Sequence, residues 1–143
     1  MEASEVEKIV KVISLKADYQ LKHNETVNQI DGIFRKNAFY TTREYPIFKM
    51  GDNSGRKGRI DLVARKGKFR VALEYDHHNL IKWKSFQKIA QIKPEVAIAI
   101  TGSGSVEPNI KRASKYRKIQ KAPLYIASLK EKRYEKINPG AVS

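Results

Sequence analysis

The chain has 143 residues and carries 29 Lys and Arg against 15 Asp and Glu, a formal net charge of +14. Its length predicts one domain with a single sizeable core, and its basic excess favours a nucleic-acid partner over mere solubility. The absence of cysteine excludes disulfides, zinc thiolate sites and cysteine nucleophiles. Since there is neither a twenty-residue apolar run nor an apolar signal region, we expect no membrane span, no secretion and a cytoplasmic location.

An amphipathic helix is predicted from Ser4 to Gln20, where apolar residues recur at helical spacing. Ser4 and Glu7 have the spacing of a capping box at its start. We expect this helix to pack either on the body of the protein or on another subunit, so that a homodimer is one assembly it would support. Residues 1–22 are accordingly assigned to an N-terminal segment outside the core.

A second helix is predicted next, with Asn24 as its N-cap, Glu25 in its first turn and Asn37 at its end. Glu25 has two interpretations. It either complements the helix dipole, as an acid in the first turn commonly does, or it supplies a third carboxylate to the acidic pair described below.

The following segments have the composition of strands. Residues 39–48 are rich in aromatic and β-branched side chains, and Pro46 favours an edge position or a bulge. Residues 50–57 form a polar loop that contains glycine and ends in basic residues. The segment from Gly58 to Asp76 then alternates apolar and polar residues on both sides of Gly67, which predicts a β-hairpin.

Two acidic residues, Asp61 and Glu74, fall within the apolar strands of this hairpin. If both strands are central in a sheet, the carboxylates leave water, which is costly unless a cation or hydrogen bonds compensate. Two such carboxylates on neighbouring strands form a hard-cation site of the Mg²⁺ type. The alternative interpretation is a pair of edge-strand acids that face solvent.

Residues 76–79 are predicted to form a loop that caps a helix from about Leu80 to Ile92. Lys84 and Lys88 lie four residues apart and therefore share one side of this helix. Its apolar stripe comprises Trp83, Phe86, Ile89 and Ala90.

The last third of the chain predicts a strand at 96–100 that is buried on both faces, since it is a continuous apolar run. A flexible connector follows at 101–105, then a basic helix from Glu107 to Ile119 and a short strand at 123–127. Residues 23–128 are assigned to the core and residues 129–143 to a charged, partly loose C-terminal tail.

This order of elements, with acids on the second and third strands, resembles the PD-(D/E)XK nuclease superfamily, which includes restriction endonucleases and archaeal Holliday-junction resolvases. The matching residues are Glu25 on the first core helix, Asp61 in GRIDLV and Glu74 in VALEYD. The resemblance spans residues 24–127 and implies an α/β, restriction-endonuclease-like fold. Such a fold has a mixed central sheet flanked by helices, with an αβββαβ core, to which this chain adds its N-terminal helix.

The resemblance also implies a Mg²⁺-dependent endonuclease that hydrolyses DNA, with Mn²⁺ as a substitute metal. Asp61, Glu74 and the main-chain carbonyl of Tyr75 would hold the metal. The family's lysine stands two residues after the strand-three acid, where this chain has Asp76. Some members supply the amine from the following helix, where Lys88 is the first choice and Lys84 the second; both could equally be ordinary solvated lysines. An inactive nucleic-acid-binding module is the alternative function.

Basic residues on both sides of the hairpin are candidates for contacting the phosphate backbone. His77 belongs with them, because adjacent histidines are a poor zinc pair when no further nitrogen or sulfur ligand is suitably spaced. Base stacking is open to Tyr40, Tyr45 and Trp83, although core packing is favoured for Trp83. The candidate nucleic-acid-binding residues are Arg56, Lys57, Arg59, His77, Lys111, Arg112 and Lys115.

Overall fold

The structure is a computed structural model that describes residues 2–47, 58–117 and 121–139. Its helices are α1 (Glu2–Lys16), α2 (His23–Lys36), α3 (Trp83–Ile92) and α4 (Val106–Arg117). Its strands are β1 (Tyr40–Ile47), β2 (Gly58–Lys66), β3 (Phe69–Asp76), β4 (Val96–Thr101), β5 (Leu124–Ser128) and β6 (Arg133–Ile137). None of the helices in these ranges is long and apolar enough to cross a membrane.

All six of these strands form one mixed sheet in the order β1-β2-β3-β4-β5-β6. The β1–β2 and β2–β3 pairs are antiparallel, the β3–β4 and β4–β5 pairs are parallel, and β6 is antiparallel to β5. The parallel pairs are joined through α3 and α4, as parallel connections require. The fold is therefore mixed α/β, as predicted, and the hairpin of β2 and β3 lies inside the sheet rather than at its edge.

Two apolar clusters cover the two faces of the sheet. One lies beneath α1 and α2 and includes Ile9, Ile30 and Phe34, while the other lies beneath α3 and α4 and includes Phe86 and Ile89. Strand β4 contributes to both clusters and is buried along its whole length, which confirms the prediction made from its apolar run.

Helix α1 is part of this body. It begins before Ser4 and ends at Lys16, so the predicted start and end are both shifted toward the N-terminus. Its apolar stripe is buried in the first cluster, and Glu7 accepts hydrogen bonds from the hydroxyls of Tyr125 (3.2 Å) and Tyr134 (3.3 Å). Of the two packing partners predicted for this helix, the structure therefore shows the body of the same chain.

The segment 129–143, predicted as a loose tail, contains the last strand. Residues 133–137 form β6, which pairs with β5 from Ser128 opposite Arg133 to Leu124 opposite Ile137. Ile137 is buried in the second cluster and Tyr134 packs against the first. Charged residues lie between these two apolar positions, so the sequence alone does not show a strand pattern here. The strand forms by pairing with the edge of β5.

Candidate active site

The hairpin of β2 and β3 forms as predicted, with a two-residue turn at Gly67 and Lys68. Gly67 has φ of +62°, a conformation that glycine adopts without strain. Regular pairing runs from Lys66 opposite Phe69 to Leu62 opposite Leu73. The next residues along the two strands are Asp61 and Glu74, so the acidic pair follows directly where this regular pairing ends.

Beyond that point the two carboxylates bond to main-chain groups of the opposite strand. The Asp61 N–H donates to Glu74 Oε2 at 2.7 Å, and the Tyr75 N–H donates to Asp61 Oδ2 at 2.8 Å. Each acid is thereby held by the backbone of the strand that carries the other. This reciprocal arrangement fixes the two carboxylates beside each other without a metal.

Strand β2 is irregular at the same residue. Ile60 packs in the cluster beneath α3, whereas Leu62 packs in the cluster beneath α1 and α2, so the alternation of faces is interrupted at Asp61. On the neighbouring strand Glu44 has φ of +52°, and the residues on either side of it pair with Leu62 and Ile60. Irregular strand positions of this kind commonly re-aim a side chain next to a functional site.

Glu74 is the more deeply buried of the two acids, with 3% of its surface exposed. Burial, and after it the neighbouring charge of Asp61, raises the pKa of Glu74 to about 7. The Lys88 ammonium acts in the opposite direction, since its Nζ lies 2.9 Å from Glu74 Oε1. A buried carboxylate in this state is one that further positive charge would stabilise.

Helix α3 brings Lys88 to the acids. Ser85, three residues before Lys88, and Ile89, the residue after it, are both buried. Their burial sets the rotation of the helix about its axis. Lys88 Nζ also donates to the Arg59 carbonyl at 3.0 Å, so the amine is held from two sides. Lys84 lies one turn earlier and is exposed. The structure thus brings Lys88 to the acidic pair and leaves Lys84 at the surface.

A second cation, His23, comes from the start of α2. Its Nε2 lies 3.0 Å from the Tyr75 carbonyl oxygen and 3.5 Å from Asp61 Oδ2, and its ring stacks on Tyr75. The hydrogen bond with Asp61 is the largest of the influences that raise the pKa of His23 to about 9, so the imidazole is positively charged at neutral pH.

The sequence prediction missed His23 because it placed the start of the helix at Glu25. The helix in fact begins at His23, and Asn24 lies in its first turn rather than at its cap. Glu25 is on the same turn, but its carboxylate accepts a hydrogen bond from the Lys22 N–H at 3.3 Å. Glu25 therefore caps the start of α2, and it is not among the residues that line the cleft.

Asp76 organises the loop that follows β3. Its Oδ1 accepts the N–H of His78 at 3.1 Å and its Oδ2 accepts the N–H of Lys82 at 3.0 Å. The chain stays non-helical up to Lys82, so α3 begins three residues later than predicted. Asp76 is therefore not the N-cap of that helix, and each of its two carboxylate oxygens accepts an N–H group of the loop.

The connector at 101–105 holds this loop from the other side, contrary to its predicted flexibility. Thr101 Oγ1 donates to the His78 carbonyl at 2.6 Å, and Ser103 Oγ donates to the His77 carbonyl at 3.1 Å. A Cβ at Gly104 would lie 1.9 Å from the Asn79 carbonyl oxygen, so the close approach of the two loops requires glycine there.

These elements enclose a cleft of about 270 Å³ between β2, β3, the loop after β3 and α3. The cleft combines carboxylates with histidine, lysine and tyrosine side chains. Such a mixture of titratable groups is typical of a site for charged ligands. Its lining residues are His23, Asp61, Glu74, Tyr75, Asp76, His77, His78, Lys82, Ser85 and Lys88.

Within the described ranges, no three His, Asp or Glu side chains converge as a ready-made metal cluster. The oxygen donors at hand are Asp61, Glu74 and the Tyr75 carbonyl, a set that suits a hard cation completed by water or substrate oxygens. Each carboxylate oxygen has more than one lone pair, so a cation could bind beside the backbone N–H groups, the Lys88 ammonium and the His23 ring that these carboxylates already contact. Burial and the neighbouring Asp61 charge disfavour the ionised form of Glu74, and a divalent cation on these oxygens would favour it, so the oxygen set is compatible with Mg²⁺.

The predicted DNA-contacting residues lie in three places. His77 lines the cleft, with Nδ1 3.3 Å from the Tyr75 hydroxyl, and Arg59 is exposed on β2, paired with Glu44. Lys111 and Lys115 are exposed on α4, whereas Arg112 is partly buried and donates from Nε to the Ile81 carbonyl at 3.0 Å. Arg56 and Lys57 lie outside the described residues.

The aromatic residues differ from the expectation at one position. Trp83 was expected in the core, but 37% of its surface is exposed, because α3 begins at this residue and the buried stripe starts only at Phe86. Tyr40 is also exposed, while Tyr45 packs against the second cluster.

Comparison with models of protein families, with curated proteins and with solved structures gives no match for this chain.

Proposed function

We propose that this protein is a Mg²⁺-dependent endonuclease of the PD-(D/E)XK kind, acting on DNA. The observation that carries the proposal is the contact of Lys88 Nζ with Glu74 at 2.9 Å, in a cleft where Glu74 also bonds to the Asp61 backbone. An amine beside a pair of acids is the combination that phosphodiester hydrolysis needs. This contact also favours an active enzyme over an inactive binding module that lost the family's lysine.

The architecture supports the same assignment. A helix is followed by three antiparallel strands, a helix, a parallel strand, a further helix and another parallel strand, and the acids lie on the second and third strands. That arrangement agrees with the αβββαβ core of the restriction-endonuclease-like fold. Asp76, at the position of the family's usual lysine, is committed to the loop, and the amine comes instead from α3.

The residues around the acidic pair have defined tasks in this proposal. Asp61, Glu74 and the Tyr75 carbonyl would hold the metal. When bound, Mg²⁺ supplies Lewis-acid polarisation of the phosphodiester and makes water a better nucleophile. Lys88 stabilises the negative charge that develops on the phosphate oxygens, and its bonds to Glu74 and the Arg59 carbonyl keep the amine in position.

His23 would position the acids on the opposite side of the site. Its Nε2 contacts both the Tyr75 carbonyl oxygen and Asp61, and its stacking on Tyr75 restricts the ring. The net charge of +14, from 29 basic and 15 acidic residues, would attract the DNA backbone. Lys111 and Lys115 on α4 are among the exposed basic residues.

The test is cleavage of a panel of labelled DNAs (single strand, duplex, flap and four-way junction) with Mg²⁺, Mn²⁺ or chelator. We expect metal-dependent cutting by the wild type and at least a 1,000-fold slower reaction in Asp61→Ala, with DNA binding nearly unchanged. Because the variant loses the acceptor of the Tyr75 N–H, its folding is checked by circular dichroism at the assay temperature. Glu135→Ala, an exposed acid on β6, is the control and should cut like wild type. Binding without cutting under every metal would replace the enzyme with the inactive module.

A further inference from the structure

An aromatic and basic rim lies beside the cleft where the loop after β3 enters α3. Trp83 is 37% exposed and Leu80 is 45% exposed, although both belong to a segment whose central residue, Ile81, is 1% exposed. Lys82 and Ser85, on either side of Trp83 in the sequence, line the cleft itself. A large exposed apolar pair next to a charged site is a candidate contact surface for a ligand.

The fold holds this segment in place through Ile81. The Ile81 N–H donates to Asn109 Oδ1 at 2.7 Å, and the Ile81 carbonyl accepts from Arg112 Nε at 3.0 Å. These bonds hold Ile81 against α4, while its neighbours Leu80 and Lys82 are exposed.

Arg112 links the rim to the basic surface of α4. Its guanidinium carbon lies 5.7 Å from the centre of the Trp83 ring, while Nε is engaged by the Ile81 carbonyl. Lys115 is one turn further along α4 and exposed, and Lys84 is exposed next to Trp83. An indole beside one held guanidinium and two exposed lysines suits the combination of base and phosphate in a nucleic acid.

We propose that Trp83, supported by Arg112, stacks on an unpaired nucleobase of DNA whose backbone enters the cleft. In an intact duplex the faces of the bases are already stacked and cannot reach a side chain at the rim. Single-stranded or branched DNA offers such a face without the cost of unstacking. This inference rests on the proposed nucleic-acid substrate and adds its class, namely DNA with unpaired bases at the bound site.

The test uses intrinsic fluorescence, because Trp83 is the single tryptophan of the chain. The full-length protein is titrated in chelator with a single-stranded oligonucleotide and, separately, with the matched duplex. We expect the single strand to quench the emission and to bind at least tenfold more tightly than the duplex. Equal affinity for both DNAs, or binding of the single strand without a change in emission, would overturn the inference.

Variants are compared by the anisotropy of the labelled oligonucleotide. Trp83→Ala should weaken single-strand binding about tenfold to a hundredfold and leave duplex binding within twofold, and Trp83→Phe should restore most of the affinity. Leu15→Ala is the control, since Leu15 is a large apolar residue of α1 with 50% of its surface exposed and is not part of the rim. It should bind like wild type. Unchanged single-strand affinity in Trp83→Ala would contradict the proposal.

Since these measurements are made without metal, they are independent of cleavage. If single strands quench the emission of a protein that cuts no DNA, base stacking at Trp83 is supported and the proposed nuclease activity is rejected. Cleavage of DNA without any contribution from Trp83 to binding would keep the nuclease and remove the stacking surface.

Discussion

Glu74 and Asp76 lie two residues apart on β3 and are both nearly excluded from water, with 3% and 6% of their surfaces exposed. Their surroundings differ. Both oxygens of Asp76 accept N–H groups of its own loop, from His78 and Lys82. Glu74 accepts a single backbone N–H, from Asp61, and otherwise faces the Asp61 carboxylate and the Lys88 ammonium.

The comparison shows that two acids with similar burial can be stabilised by quite different groups. Asp76 is compensated by neutral backbone dipoles that the fold itself fixes, so its charge stabilises a particular loop conformation. Glu74 is compensated by side-chain charge, and its pKa remains raised by burial and by Asp61. The first acid is stabilised by main-chain groups of its own loop, whereas the second depends mainly on the side chain of Lys88.

Removal of the Lys88 amine, which contacts Glu74, should strongly reduce activity. We expect Lys88→Met to slow single-turnover cleavage about 100- to 1,000-fold, because the charge that stabilises the transition state is lost. Lys84→Met, one helical turn away and exposed, is the matched control and should stay within about twofold of wild type. Equal rates for the two variants would remove Lys88 from the site.

Removal of the Asp76 carboxylate should have the largest effect on stability. Asp76→Ala leaves two loop N–H groups without their acceptor, so we expect a loss of about 2–3 kcal/mol in the free energy of unfolding. Urea denaturation measures it. Asp18→Ala is the control, because Asp18 is less buried and accepts one N–H, from Gln20 at 2.9 Å. A loss at Asp76 no larger than at Asp18 would contradict its structural role.

His23 should give a smaller, pH-dependent effect. Its pKa is raised from 6.5 to about 9 in the folded state, so the stabilisation by the charged imidazole is complete below pH 6.5 and is lost as the pH rises through 9. With 42% of its side chain exposed, solvent screening reduces this to about 1 kcal/mol.

The experiment compares wild type with His23→Gln by urea denaturation in chelator at pH 6 and pH 9.5. The wild type should exceed the variant by more at pH 6. Because Asp61 is the main partner, the pH dependence of this difference should largely disappear in an Asp61→Asn background. A difference that is the same at both pH values would show that His23 does not carry a charge in the site.

The sequence was sufficient for the parts of the fold that local patterns determine. Alternation around Gly67 predicted the hairpin, and the apolar run at 96–100 predicted a central strand. The acids were found because they interrupt those strands. Lys88 was preferred over Lys84 for its depth beside the apolar stripe, and the contact with Glu74 agrees with that preference.

The remaining features depend on contacts between distant segments. His23 reaches Tyr75 across 52 residues of sequence, and its role was hidden by a two-residue error in the helix start. Asp76 acquired its role from a loop held by Thr101 and Ser103, which no local pattern reveals. Strand β6 forms by pairing with the edge of β5. Its sequence is rich in charged residues, so it resembles a loose tail when considered alone.

The most direct test of the central claim is the rate at which Glu74→Gln cleaves the DNA that the wild type cuts best, in Mg²⁺ at pH 8. We predict a rate at least about 1,000-fold lower, since in the proposed mechanism the Glu74 carboxylate helps to hold the metal.

The same variant should not be less stable than wild type in chelator at that pH. The raised pKa of Glu74 means that its stabilising contribution is present below pH 4.5 and lost as the pH rises through 7, and glutamine does not ionise. A well-folded Glu74→Gln protein that fails to cut is the result that the account predicts. Cleavage at the wild-type rate by that protein would contradict it.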